Sequence, residues 1–186
     1  GSVLGASDGV GTVQITNTGG TTFSDTVGNT ANTLALINID QDTTFSGSVE
    51  ATDINNAAST TATFSDNVTA TITNSGTLLF DATDAKSVTG TIAEAAEGDT
   101  TEVQVINSAN DEAPSVVTFT NTVAADTLTV GTTSKAGAAL FQEAVTVPTI
   151  NITGANSGDE NSTATFNKAV TATTIVLNDQ TGDAKM

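Results

Sequence analysis

Seven phenylalanines recur along this chain in one local setting. That setting constrains the fold more than any other feature. Six of them stand four residues before a valine: Phe23–Val27, Phe45–Val49, Phe64–Val68, Phe119–Val123, Phe141–Val145 and Phe166–Val170. A β-branched or small residue lies two before the Phe, and three mostly polar residues separate Phe from Val. A short polar stretch then leads into alternating Ile, Leu or Val. Phe80 opens a variant copy in which Val88 arrives late, with an expected insertion. The Phe spacings are 22, 19, 16, 39, 22 and 25 residues. The 39 is close to two units, so a copy without Phe is expected near 99–106, with Glu102–Ile106 as its strand. With an opening unit around Val13 and Ile15, the chain holds about eight or nine repeats.

Local periodicity decides between helix and strand. A four-residue step fits one helical face, but Thr69–Thr73, Thr127–Val130 and Thr149–Ile152 alternate with period two, are rich in β-branched residues and are bounded by Asn, Gly and Ser. Branched Cβ atoms suit a pleated surface, whereas Asn, Asp, Gly and Ser suit turns. The Phe-to-Val step is then an inward strand residue, a turn, and the next inward residue. Units of about twenty residues leave no room for a helix and cannot bury their own faces. The expected fold is therefore all-β: a parallel β-helix (β-solenoid) with about 20-residue coils and a Phe ladder, about 40 Å long at about 4.8 Å per coil. A β-sandwich is the alternative, and the uneven loops 93–101, 107–115 and 153–163 suit either. The constant setting of Phe over seven copies favours the solenoid. A single domain over 1–186 is expected, as a piece of a longer chain, because the sequence opens Gly1-Ser2 rather than with Met.

The form Thr-x-Phe-x-x-x-Val-x-Ala-x-x-Ile resembles the Thr/Asn/Gly-rich repeats of large bacterial surface proteins. These include autotransporter passenger domains of the rickettsial outer-membrane protein B type and S-layer proteins, and phage fibre proteins share the style. The resemblance covers most of the chain. It implies a structural or adhesive role at the cell surface and supplies no catalytic residue.

Composition narrows the chemistry. The chain has no Cys, His or Arg, and four lysines face 21 carboxylates for a net charge of −17. Nucleic-acid binding is excluded on charge, and attraction to anionic lipid likewise. No apolar run is long enough to insert in a membrane. Without His, Cys or Arg the usual nucleophile–base pairs and phosphate clamps are missing. The carboxylate pairs Asp81/Asp84 and Glu94/Glu97 read as solvated loop rather than as a glycosidase site, so no enzyme is expected.

Calcium is the candidate ion, because it takes several oxygen ligands from carboxylates, amides and turn carbonyls. Asn38, Asp40 and Asp42 alternate along one segment, and oxygen-rich turns at Asp111-Glu112 and Asp159-Glu160 are of the same kind; Asn178, Asp179 and Asp183 form a looser group. All seven of the first-named residues double as ordinary turn and surface formers. Thr-x-Thr rows at 61–63, 69–71, 127–129 and 171–173 would order water if aligned, but they share no constant offset from Phe. Asn67, Asn151 and Asn161 match glycosylation acceptors by chance. The expected function is a structural, extracellular segment of an S-layer, sheath or adhesin, associating with itself or with neighbouring domains of the same long chain. A receptor- or glycan-binding module of an adhesin or phage fibre is the alternative.

Overall fold

A computed structural model describes residues 1–96, 98–108, 114–155, 161–178 and 184–185, the last pair by backbone alone. It is all-β among the described residues, with strands stacked in parallel as a β-solenoid. Each coil crosses three faces in turn. The third face is an eight-stranded sheet: Thr21–Phe23, Thr43–Phe45, Thr61–Phe64, Thr77–Asp81, Glu102–Ile106, Thr127–Val130, Thr149–Thr153 and Thr174–Asn178. The first and second faces share a sheet of 13 strands. Val49–Asn56 and Val68–Asn74 run across both of these faces, and later coils break that run into two strands.

Parallel register stacks like on like. On the first face the inward column reads Val3, Val27, Val49, Val68, Val88, Phe119, Phe141 and Phe166. The second-face column reads Val13, Ile37, Ile54, Ile72, Ile92, Val123, Val145 and Val170. On the third face it is Phe23, Phe45, Phe64, Phe80, Val105, Val130, Ile152 and Leu177. That last column advances by 22, 19, 16, 25, 25, 22 and 25 residues, which makes seven turns averaging 22. Short strands of Thr, Val and Ile form because each coil buries its inward row only against its neighbours.

The Phe ladder exists, but two faces carry it. Phe23, Phe45, Phe64 and Phe80 stack on the third face, with ring centroids 5.2, 5.2 and 5.5 Å apart. Phe119, Phe141 and Phe166 stack on the first face at 4.8 and 5.0 Å. Phe80 meets Phe119 edge to face, at 5.2 Å and 89°. That perpendicular contact is where the motif moves over by one face. In the six regular copies the Phe-to-Val corner is unchanged, three residues long. It joins faces three and one at 24–26, 46–48 and 65–67, and faces one and two at 120–122, 142–144 and 167–169. Glu102–Ile106 is the strand expected of the Phe-less copy. It fills one face rather than a whole unit, with Val105 in register with Phe80, and this shifts everything after it.

Loop length adjusts to the shift. The turn from face three to face one grows from three residues to 107–115, 131–137 and 154–161. Gly131 opens the middle one at φ 75°, where a Cβ would meet Ser162 Oγ and Thr153 O. The core is otherwise continuous: Phe45, Ile54, Val105, Leu128, Phe141 and Ile152 are all 0% exposed.

Candidate functional site

Polar side chains follow the same stacking rule as the core. Inside the corner between faces two and three, Asn56 and Asn74 are buried. Asn56 Nδ2 donates to Asn74 Oδ1 at 2.9 Å, Thr60 Oγ1 donates to Asn56 Oδ1 at 2.8 Å, and Asn74 Nδ2 donates to Gly76 O at 2.9 Å. Every bond runs between coils or within one turn, so the buried amides are satisfied without water. Outside, on face two, Asn55 Nδ2 donates to Asn38 Oδ1 at 3.0 Å and Asn38 Nδ2 donates to Gln14 Oε1 at 2.9 Å.

That outer ladder links two members of the first candidate ligand set, Asn38 and Asp40, through Gln14. Strand Leu34–Ile39 holds Asn38 on a face, while Asp40 and Asp42 sit in the corner that follows it. Gln14 Nε2 donates to Asp40 Oδ2 at 2.5 Å, and the Thr61 backbone N–H donates to Asp42 Oδ1 at 2.8 Å. Asp40 and Asp42 line one groove with Gly19, Gly20, Ser59 and Thr60, without Asn38. No three acidic side chains gather among the described residues. Asp111, Glu112, Asp159, Glu160, Asp179 and Asp183 lie outside those residues, as does Glu97. Asp81 belongs to a link across three coils: the Ser108 backbone N–H donates to its Oδ1 at 2.8 Å, the Ser108 hydroxyl donates to its Oδ2, and Lys135 Nζ donates to Ser108 Oγ. Glu94 accepts from the Thr101 hydroxyl at 3.3 Å.

The shift of face also reorganises the threonine rows. Thr61 and Thr63 share two outward columns of face three with Thr127 and Thr129, although their offsets from Phe differ. Leu79, Glu102 and Gln104 interrupt those columns in the middle of the rod. Thr69-Ala-Thr71 and Thr171-Ala-Thr173 begin on the other sheet.

Two features remain open for partners. One is an apolar groove on the outside of face one, lined by Pro114, Val116, Ala138, Leu140, Thr163 and Thr165. The other is the last coil. Ile175 and Leu177 point inward by register yet are 42% and 53% exposed, whereas Ile150 and Ile152, one coil earlier in the same columns, are 0% exposed. Among the described residues, Thr174–Asn178 and Val170–Thr171 are each paired on one side. At the opposite end, Thr12–Ile15 and Thr21–Phe23 are paired on one side only. There the Asp25 carboxyl is held below the usual range, chiefly by the Thr26 backbone N–H and then by the Ser2 hydroxyl. Comparison with protein-family models, curated proteins and solved structures finds no match to this chain.

Proposed function

We propose that this chain is a structural, non-catalytic segment of an extracellular cell-surface protein of the S-layer, sheath or adhesin kind. It acts as a stiff rod that associates with itself or holds neighbouring domains in place. One observation carries the reading: parallel strands stack coil on coil into a continuous solenoid around a filled apolar core, a scaffold built from repetition. The rod is stiff because seven turns at about 4.8 Å give about 34 Å of continuous hydrogen-bonded ladder around a filled core. An acidic, Cys-free surface suits a crowded exterior, since like-charged sides repel and keep the rods apart laterally.

Protease shaving of intact cells carrying the epitope-tagged protein tests the location. The tag should be lost from the cell fraction while a cytoplasmic marker stays whole. Full protection of the tag until the cells are lysed would overturn the reading.

A further inference from the structure

We infer that the apolar groove on face one takes an extended polypeptide segment of a partner in which aliphatic residues alternate with lysine or arginine. This adds a binding surface to the rod and does not depend on where the protein is located. Register builds the groove. Val116, Ala138 and Thr163 form one outward column, and Thr118, Leu140 and Thr165 form the next. Ala138 is the smallest of the six, so its neighbours stand proud of it. It forms the floor and is 6% exposed although it points outward. Pro114 also lines the groove, and the space is about 580 Å³, in the range of ligand-holding clefts. Away from the first and last coils, Val116 is the one exposed large hydrophobic side chain among the described residues, at 40%.

The corners point to the same side. Three consecutive coils join face three to face one through long corners, 107–115, 131–137 and 154–161, whereas earlier coils use three or four residues there. Insertions gathered on one side of a solenoid commonly mark its binding side. Charge then chooses the occupant. None of the six outward residues is charged, in a chain of net charge −17. In sequence, Asp111-Glu112 stands just before Pro114 and Asp159-Glu160 just before Asn161, and both Pro114 and Asn161 line the groove. Lys135 is the single lysine of these corners, and it already donates to Ser108 Oγ. An apolar floor in an acidic field favours a segment that supplies aliphatic side chains and cations together. Period-two alternation in an extended segment sets the aliphatic side chains on the floor. A second copy of this chain would bring 21 further carboxylates against four lysines and be repelled.

Fluorescence anisotropy with a labelled peptide of alternating lysine and leucine tests the site, at physiological salt to limit long-range attraction. A peptide of alternating lysine and serine, equal in length and charge, should bind the unaltered chain at least about tenfold more weakly. Ala138→Leu fills the floor and Leu140→Glu makes the groove polar, and each should weaken the lysine–leucine peptide about tenfold or more. Asn151→Glu, which adds the same charge on the outside of face three, should leave that affinity unchanged or slightly tighter. Equal binding of the two peptides would overturn the proposal without relying on any variant. Tighter binding by Leu140→Glu would do the same, since attraction by charge alone predicts it. Dimerisation of the chain alone, abolished by Leu140→Glu, would put a second copy in the groove and overturn the peptide occupant. None of these results bears on the surface location, which protease shaving tests separately.

Discussion

At the scale of single residues, the ladder positions differ in what they contribute. Phe64 lies between the rings of Phe45 and Phe80, at centroid distances of 5.2 and 5.5 Å, and is 1% exposed. Phe64→Ala removes both ring contacts and leaves a cavity that the neighbouring coils cannot close. A loss of about 3–5 kcal/mol is expected from urea unfolding, against less than about 1.5 kcal/mol for Phe64→Leu if the core repacks. Asn74 tests the polar ladder. Its Oδ1 accepts from Asn56 and from the Gly76 backbone N–H at 3.1 Å, so Asn74→Ala strands a buried donor. A cost of about 1–3 kcal/mol follows. A double variant with Asn56→Ala should cost less than the two single changes together, because one bond is lost twice.

At the scale of strands and corners, local features were legible and global phase was not. The three-residue corner between Phe and Val, the period-two strands and the isolated strand Glu102–Ile106 are all written in neighbouring residues. Which face a strand occupies depends on how many faces the chain has crossed since the previous Phe, and corner length absorbs that count invisibly. A spacing of 39 between Phe80 and Phe119 reads equally as a missing Phe or as a shift of one face. The Asn38–Asp42 segment spans a similar boundary: Asn38 lies on the strand, and Asp40 and Asp42 in the corner after Ile39. Asp and Asn serve strand faces and turns alike, so the residues themselves do not mark that corner. Gly131 shows the demand of the long corners. With φ at 75° and Ser162 Oγ 1.9 Å from an added Cβ, Gly131→Ala should cost more than about 1 kcal/mol and lower the thermal midpoint.

At the scale of the whole molecule, stability is a chain of nearest-neighbour terms rather than one closed core. Among the described residues, the middle coils are paired on both sides. Amide hydrogen exchange should therefore be slowest across Phe45–Ile152 and fastest in Thr174–Asn178, where all five residues are exposed. Equal protection in Thr149–Thr153 and Thr174–Asn178 would contradict that order.

The central claim is that one continuous solenoid carries its Phe ladder on two faces, changing over between Phe80 and Phe119. Disulfide trapping on the outer surface tests it directly. In-register neighbours on adjacent parallel strands lie about 4.8 Å apart, within reach of a disulfide. Leu79 is in register with Gln104 on face three, so Leu79→Cys with Gln104→Cys should oxidise quantitatively within the monomer. Leu79→Cys with Thr118→Cys should remain reduced, because Thr118 lies on face one beside Ser87 and Leu140. The reverse pattern, with Leu79 bonded to Thr118 and Gln104 free, would place all seven Phe in one column and contradict the account.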